Sequence, residues 1–306
     1  MTAYTVTHHT AYRYNHPVAL CYNEARLLPR EDTPWQTVGE SQADIVPVPA
    51  LSAERRDFFG NRVLYFAIQD IHQRLDVTVR TEVEVKPGPF SEASPSPPWE
   101  QALKTLRQDA DPGIIEARQF CLNSPFVSRA PNLVDYARDS FPPGRPLLEA
   151  GRDLIRRIHH DFAYDPEFTT VATPLQEVIK NRRGVCQDFA HLAIGCLRSL
   201  GLAARYVSGY LETLPPAGKP RLVGADASHA WLAAYLPGEG WAEFDPTNDC
   251  MPGERHVILA WGRDYGDVVP LKGVMSGGGA HELEVSVDVA PRGQPRLERG
   301  DGVSVA

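Results

Sequence analysis

The stretch GVCQDFAHLA, residues 184–193, places Cys186 directly before an apolar run. Beyond the cysteine, apolar side chains recur at helical spacing and a glycine follows the last of them: Phe189, Ala193, Cys196, Leu197, Leu200 and then Gly201. This spacing predicts a helix that begins at or just after Cys186. A thiol at a helix start faces unpaired N–H groups and the positive end of the helix dipole, which both favour the thiolate. Cys186 is therefore a candidate nucleophile, although a lone cysteine beside an apolar helix is more often a small buried hydrophobe.

Two later segments contain the groups that an attacking thiol requires. His229 lies near the start of the strand-like run SHAWLAAYL (228–236), and Asp245 lies in the next run, WAEFDPT (241–247). The chain order cysteine, histidine, aspartate supplies a nucleophile, a base and a carboxylate that orients the base. In this arrangement Asp245 accepts a hydrogen bond from one imidazole nitrogen and fixes its tautomer. The alternative is that His229 is a core histidine held by its apolar neighbours.

The hairpin between these two runs tests the arrangement. If His229 and Asp245 are directly opposite, the ladder centres on Pro237 and leaves a loop of about five residues. A slip of one residue would send the two side chains to opposite faces of the sheet, and a tight loop over 237–240 would produce that slip. The hypothesis therefore predicts a longer loop or a bulge.

Composition excludes several classes of function. Of the 306 residues 42% are hydrophobic and 23% are charged, and the formal net charge is −8, whereas nucleic-acid and membrane-surface proteins favour basic patches. No apolar run approaches the length of a membrane span. The N-terminus, MTAYTVTHHT, lacks the basic start and apolar region of a signal peptide. We therefore expect neither a nucleic-acid partner nor a membrane partner.

The cysteines and the histidine pairs indicate free thiols and no metal. The cysteines are five in number, widely scattered and without a C-x-x-C pair: Cys21, Cys121, Cys186, Cys196 and Cys250. This pattern argues against a disulfide framework and against the usual zinc site, so we expect a cytoplasmic protein. Adjacent histidines diverge on a strand or a helix, so we expect His8-His9 and His159-His160 to be surface or edge residues rather than metal ligands.

The periodicity divides the chain into a β-rich first part and an α+β second part. In residues 1–87 alternating side chains and a Gly60-Asn61 turn predict an antiparallel β domain, a sandwich or a partial barrel. One face of its last strand carries Leu75, Val77, Val79, Thr81, Val83 and Val85. Residues 88–145 read as a Pro-rich linker and a helical segment. Residues 146–290 read as helices followed by antiparallel strands, and residues 291–306 as a flexible tail.

Taken together, these segments resemble a family. GVCQDFAHLAIGCLRSLGLAARYVSGYL (184–211) followed by DASHAWLAAYLPGEGWAEFDPTN (226–248) resembles the transglutaminase-like superfamily of cysteine enzymes. YTVTHHTAYRYNHPV (4–18) and DFFGNRV (57–63) resemble the N-terminal β domain of its bacterial branch. The resemblance implies an α+β chain in which an N-terminal antiparallel β domain precedes a papain-like core, with helices packed on an antiparallel sheet.

The resemblance also implies the chemistry and the site. Cys186 would attack an amide or thioester carbonyl, His229 would act as base and then acid, and Asp245 would orient the imidazole. The backbone N–H of Cys186 would stabilise the oxyanion, and Tyr164 or Gln187 would supply a second donor. Residues that could shape the cleft are Tyr206, Asp226 and Trp231, with core packing the alternative for Tyr206 and a solvated turn for Asp226.

Three functions follow from this resemblance. Peptide or isopeptide hydrolysis is the first, acyl transfer to an amine is the second, and a binding module without turnover is the third. A protein or peptide substrate is the expected partner, and the sequence does not give the oligomeric state. No acidic loop has calcium-binding spacing, so we expect no metal and no cofactor.

Overall fold

The longest strand of the protein, β1 (Thr2–Ala25), organises an antiparallel sheet at the N-terminus. The structure is a computed structural model that describes residues 1–168, 170, 173–214 and 227–293. The other strands of the first third of the chain are β2 (Gln36–Val46), β3 (Leu51–Arg56), β4 (Arg62–Ile68) and β5 (His72–Val85). They lie in the order β2-β5-β1-β4-β3, and every pairing is antiparallel. The predicted antiparallel β domain is confirmed.

Local patterns in this sheet behave as the sequence predicts. The alternating residues of β5, from Leu75 to Val85, are buried. Gly60, with φ of 76°, and Asn61 lie in the loop of the β3–β4 hairpin, where Arg56 pairs with Arg62. Glycine tolerates this positive φ without steric cost, which explains the turn.

Two late strands return to the N-terminal sheet, which the sequence did not predict. These are β12 (Leu271–Gly277) and β13 (His281–Pro291), after β6 to β11 described below. Both pair with β1, β12 along its second half and β13 along its first half. The predicted core of residues 146–290 therefore extends into a sheet that belongs to the N-terminal region. Only residues 291–293 of the predicted tail are described.

Helices occupy the middle of the chain. They are α1 (Trp99–Gln108), α2 (Pro112–Arg118), α3 (Pro131–Arg138), α4 (Leu147–Asp161), α5 (Leu175–Asn181) and α6 (Cys186–Ser199), with 3-10 turns at Gln119–Cys121 and Tyr265–Asp267. The Pro-rich segment before α1 is docked, since Leu148 N donates to Ser96 Oγ at 2.9 Å. Among the described residues, none of the helices has the length and apolar content needed to cross a bilayer.

A second antiparallel sheet supports helix α6. Its strands are β8 (Ala204–Leu211), β9 (Ala227–Leu236), β10 (Gly240–Phe244) and β11 (His256–Gly262), in the order β10-β9-β8-β11. Helix α6 packs on β9 and β8, and its apolar side chains belong to the main core of the protein. A short parallel pair, β6 (Ala163–Tyr164) and β7 (Arg183–Gly184), leads into α6. This is the predicted arrangement of a cysteine-bearing helix on an antiparallel sheet.

Candidate active site

The start of helix α6 holds Cys186 in a fixed and partly exposed position. The helix begins at Cys186, as predicted. Asp188 reaches back from the first turn, and its Oδ2 accepts a hydrogen bond from Val185 N at 2.8 Å. A Cβ at Gly184 would lie 2.7 Å from that oxygen, so only glycine fits beside the carboxylate. Local sequence therefore determines where the thiol lies relative to the first-turn N–H groups.

Asp245 is a fully buried carboxylate whose hydrogen-bond donors converge from several directions. Its Oδ2 lies 2.7 Å from His229 Nε2 and 3.2 Å from His256 Nε2. Asn248 Nδ2 donates to Oδ2 at 2.7 Å, and the N–H groups of Thr247 and Asn248 donate to Oδ1 at 2.9 and 3.2 Å. A buried carboxylate is tolerated when donors saturate it, and these donors do so. They hold the acceptor in place behind His229.

His229 connects this carboxylate to the thiol. Its Nε2 is hydrogen bonded to Asp245, and its ring lines the same cleft as Cys186, which acts on it electrostatically. Because Nε2 is engaged by Asp245, we infer that Nδ1 faces the sulfur. Burial lowers the pKa of His229, but its interactions with Asp245 and Cys186 outweigh burial and raise the pKa to about 10. The imidazolium form is thus favoured in this pocket.

The same contacts depress the pKa of Asp245. Burial raises that pKa, but the hydrogen bonds from His229 and His256 outweigh burial and hold it well below its ordinary range. For His256, burial is the main influence and lowers its pKa, while Asp245 partly offsets the effect. The carboxylate is therefore ionised at neutral pH and can steady a positive charge on His229.

The hairpin that carries His229 and Asp245 differs from the prediction. Leu236 pairs with Gly240, so the loop has only the three residues 237–239, and neither a longer loop nor a bulge is present in this hairpin. Phe244 pairs with Leu232, which places Asp245 across from residue 231 rather than 229. The register is offset by two residues instead of one. An even offset keeps both side chains on one face, so they meet diagonally.

A cleft with a volume of about 490 Å³ opens at Cys186 and His229. One wall comes from the second sheet and the loop after β11, with Tyr206, Ser208 and Tyr265. The opposite wall comes from the N-terminal sheet, and its lining side chains are His8, Thr10, Tyr12, Leu283, Val285 and Val287. The N-terminal region is therefore part of the candidate site.

The predicted cleft residues fall into different places. Gln187 and Tyr206 line the cleft, and Tyr206 also packs in the core with its ring 5.0 Å from that of His191, so both interpretations of Tyr206 hold. Tyr164 is 59% exposed, and burial together with the nearby Cys186 raises its pKa. Trp231 lies elsewhere than predicted.

The ring of Trp231 is fully buried behind the site. It lies 5.9 Å from the ring of His229 and 5.3 Å from that of His256. Its Nε1 donates to Glu243 at 3.0 Å. Trp231 therefore supports the imidazoles rather than facing the cleft. Asp226, the remaining candidate, lies outside the described residues.

His8 is a cleft residue that the sequence analysis assigned to the surface. It is buried, and its two ring nitrogens are hydrogen bonded to the Tyr210 hydroxyl and to Thr10 Oγ1, both at 2.8 Å. Burial lowers its pKa to about 4, so it is neutral at physiological pH. The prediction was wrong because β1 is covered by core strands on the face that carries His8, which no local pattern reveals.

Two further groups at the site were missed. His256 opens β11, and Asn248 follows the Asp245 turn; both contact the Asp245 carboxylate. His229, Asp245 and His256 each place one ligand atom within 4.8 Å of the others, a spacing that could hold a metal ion. Hydrogen bonding already accounts for this spacing, and the absence of a metal requirement stays a prediction.

The fold and the arrangement of these side chains define a structural class of cysteine proteins. A cysteine at a helix start, packed on an antiparallel sheet that bears a histidine and an aspartate, is typical of papain-like folds.

Comparison with known proteins identifies the family. Residues 4–84 match the model described as the bacterial transglutaminase-like N-terminal region, and residues 135–246 match that of the transglutaminase-like superfamily. An uncharacterised protein of Mycobacterium tuberculosis is 42% identical over 298 residues, which cover 94% of this chain and 92% of that one. The chain belongs to the transglutaminase-like superfamily, as the sequence resemblance predicts.

Two more distant matches agree. A protein of Pseudomonas aeruginosa named protein-glutamine gamma-glutamyltransferase is 34% identical over 158 residues, which cover 50% of this chain and 23% of that protein. The solved structure of a "Putative Cysteine Protease" from Cytophaga hutchinsonii matches with a TM-score of 0.73 at 20% identity. It covers 97% of this chain and 93% of that one, which shows that the whole fold is shared.

Proposed function

We propose that this protein performs cysteine-dependent acyl-enzyme chemistry on amide bonds, with hydrolysis of a peptide or isopeptide bond as its reaction. The observation that supports the proposal most is the position of His229, which is hydrogen bonded to the buried Asp245 and lines the same cleft as Cys186. A base oriented by a carboxylate and in contact with a thiol is the arrangement that activates a nucleophile.

The proposed steps follow from these contacts. The thiolate of Cys186 attacks the carbonyl carbon, a C–S bond forms, and negative charge develops on the carbonyl oxygen. As the C–N bond breaks, the imidazolium of His229 gives its proton to the leaving amine. Water then attacks the acyl carbon while His229 takes a proton from it, the C–S bond breaks to return the Cys186 thiolate, and the carboxylic acid leaves. The first-turn N–H of Cys186 stabilises the oxyanion, with Gln187 or Tyr164 as second donor.

The walls of the cleft support a protein or peptide substrate with an apolar side chain near the cleaved bond. Leu283 and Val285 face the cleft and remain 53% and 49% exposed. Exposed apolar side chains beside a candidate nucleophile provide a surface that a substrate residue can cover. The free cysteines of the described residues support a reducing compartment, and we keep the cytoplasm as the proposed location.

Transfer of the acyl group to an amine is the second candidate. The named activity of the Pseudomonas relative favours it, and the chemistry differs only in whether water or an amine accepts the acyl group. The two reactions are separated by incubating the protein with peptide libraries with and without a primary amine. Incorporation of the amine identifies transfer, whereas release of the free acid in its presence identifies hydrolysis.

The test of the proposal is selective reactivity of Cys186. Iodoacetamide should label Cys186 before the other thiols, because Cys196 is fully buried and burial raises its pKa to about 12. Cys186→Ala should abolish peptide turnover, and the matched Cys250→Ala control should retain it. If Cys186 reacts no faster than the other cysteines, and no peptide forms a trapped acyl group on it, the binding-module alternative is favoured.

A further inference from the structure

A second cavity, on the opposite face of the β10-β9-β8-β11 sheet from Tyr206, contains a guanidinium without a hydrogen-bond partner. Consecutive residues of a strand point to opposite faces, so Arg205 faces away from the active-site cleft that Tyr206 lines. Arg205 lines a cavity of about 580 Å³, which we name the Arg205 cavity. Its other walls include Phe59 of the β3–β4 loop, Glu116 of α2 and Trp261 of β11.

Arg205 is a buried cation held by aromatic rings. The residue is only 5% exposed, and its Cζ lies 3.6 Å from the ring centre of Trp261 and 4.4 Å from that of Trp241. Its Nε is buried and has no hydrogen-bond partner. Within residues 1–168, 170, 173–214 and 227–293, its side chain makes no hydrogen bond or ion pair. A buried charge without a hydrogen-bond acceptor is costly. The two indole rings stabilise the faces of the Arg205 guanidinium, but the N–H groups along its edge have no acceptor.

The neighbouring Arg30, in contrast to Arg205, has hydrogen-bond acceptors for its guanidinium. Arg30 lies over the same indole, with its Cζ 3.5 Å from the ring centre of Trp261. Two guanidiniums this close to one ring cannot share a side, so the indole lies between them. Arg30 donates to the carboxylate of Asp32, to Phe59 O and to the Asn61 side chain. Of the two cations, Arg205 is the one whose guanidinium edge has no hydrogen-bond acceptor within the described residues.

Acidic groups lie near Arg205, and Glu243 acts on it most strongly, but none of them accepts a hydrogen bond from it within the described residues. Glu243 lies on the same face, two strands away, where both residues pair with Ala233, and it makes no ion pair with Arg205. Burial raises the pKa of Glu243 to about 7, while Arg205 and the hydrogen bond from Trp231 oppose this shift. Glu116 is exposed at the mouth of the cavity. Burial lowers the pKa of Arg205 to about 9, so it remains a cation at neutral pH.

This charge distribution selects a class of ligand. One buried guanidinium whose edge has no acceptor favours a ligand with a single negative charge, and the Glu116 carboxylate at the mouth disfavours a dianion such as phosphate. The planar edge of a guanidinium matches a carboxylate, which accepts two parallel hydrogen bonds. The aromatic walls, with Phe59, Trp241 and Trp261, suit an apolar body.

We propose that the Arg205 cavity binds a small organic carboxylate, whose carboxylate group pairs with Arg205 and whose apolar body lies on the aromatic walls. The site is separate from the cleft at Cys186. The proposal therefore does not depend on the proposed function, and the Cys186→Ala protein should bind the same ligand as the wild type.

Calorimetric titration with 4-bromobenzoate at neutral pH tests this proposal. We expect saturable binding to the full chain, weaker binding of inorganic phosphate, and little binding of the uncharged analogue 4-bromobenzamide. Arg205→Met keeps an unbranched side chain between the two indoles but removes the charge, and it should lower the affinity at least about tenfold. Glu116→Gln, an exposed substitution, should raise the affinity about two- to fivefold.

A charge control on α4 and the position of bromine in a crystal complete the test. Arg156→Met removes an exposed cation of α4 and should leave the affinity unchanged. A crystal soaked with 4-bromobenzoate should show bromine in the Arg205 cavity, a result that needs no variant if Arg205→Met does not fold. The proposal is overturned if the wild type does not bind the carboxylate at millimolar concentration, if the amide or phosphate binds as tightly, or if bromine lies elsewhere.

Discussion

Asp245 Oδ2 lies 2.7 Å from His229 Nε2 although the two residues are not opposite each other in their hairpin. The β9–β10 register places Asp245 across from Trp231, so the carboxylate reaches His229 along the diagonal. Donors from Thr247, Asn248 and His256 fix the carboxylate in that direction. Because these donors are in place before any reaction, the imidazole is oriented in advance.

The first prediction concerns the charge of Asp245. Asp245→Asn keeps the size of the side chain but removes the negative charge that steadies the imidazolium, and it presents an N–H group to His229. We expect turnover to fall by about 10⁴ with a small change in KM. Peptide hydrolysis, or the rate of Cys186 alkylation by iodoacetamide, measures the effect.

The control for that substitution is Asp249→Asn. Asp249 lies four residues away and pairs with Arg152 at 3.4 Å, outside the hydrogen bond between His229 and Asp245. The Asp249→Asn variant should retain near wild-type rates of turnover and of Cys186 alkylation. Equal losses in both variants would show that charge near the turn, rather than the contact with His229, governs the rate.

The second prediction assigns a positioning role to His256. His256→Gln removes the imidazole that lies 3.2 Å from Asp245 Oδ2, so the carboxylate is held less firmly. We expect kcat to fall roughly tenfold with KM unchanged, about the value of one hydrogen bond to a charged group. The fall in activity on acidification should also move to higher pH, because His256 helps to depress the pKa of Asp245.

A purely structural role for His256 would give a different result. The melting temperature would fall, but the acid limb of the pH profile would stay where it is in the wild type. His160→Gln on the exposed face of α4 serves as the matched control and should change neither quantity.

The sequence predicted those parts of the site that depend on local physics. The periodicity after Cys186 and the glycine at 201 are sufficient to place helix α6. The strand that carries His229 and the strand that ends just before Asp245 follow from their apolar patterns. Alternation also predicted the N-terminal antiparallel β domain, and the family resemblance added the papain-like fold class; both are confirmed.

The remaining features depend on contacts that are distant in the chain. β12 and β13 pair with β1 more than 240 residues away in sequence. His8 is buried because its face of β1 packs on the second sheet, where Tyr210 lies 202 residues away in the chain. His256 reaches Asp245 through the tertiary arrangement of the second sheet, in which β11 pairs with β8, and the sequence around His256 contains no catalytic pattern. The register of the β9–β10 hairpin was mispredicted because two registers place His229 and Asp245 on the same face of the sheet. One has the two residues directly opposite, and the other is shifted by two residues.

The third prediction concerns the glycine before Cys186. Gly184→Ala places a Cβ 2.7 Å from Asp188 Oδ2 and 2.8 Å from Asp188 Cβ, so the cap at the start of α6 must shift. We expect a loss of about 1–3 kcal/mol in the free energy of unfolding and a larger relative loss of Cys186 alkylation rate. Urea unfolding and alkylation kinetics measure the two effects.

Gly88→Ala provides the comparison, since a Cβ there meets nothing within 4 Å. Its stability and its alkylation rate should both match those of the wild type. If Gly184→Ala loses stability but alkylates at the wild-type rate, the cap does not position the thiol.

The last prediction concerns the pH dependence of stability. The pKa of His229 is raised from 6.5 to about 10 in the folded protein, so protonated His229 stabilises the fold. This contribution is fully present below about pH 6.5 and is lost as the pH rises through 10. The pKa of Asp245 is depressed, so its contribution is present above its ordinary pKa of 3.8 and is lost on acidification. The stabilisation from this pair is therefore greatest between about pH 4 and 6.5.

His229→Gln isolates the histidine part of this dependence. The difference in unfolding free energy between wild type and His229→Gln should be constant from about pH 5 to 6.5 and should then fall towards pH 10, by an amount on the order of a few kcal/mol. Urea unfolding across this range measures it. Cys186→Ala should reduce the slope, because contact with Cys186 helps to raise the pKa of His229. A difference that stays flat or grows above pH 6.5 would mean that His229 is not held as the imidazolium, and the thiolate–imidazolium pair would lose its physical basis.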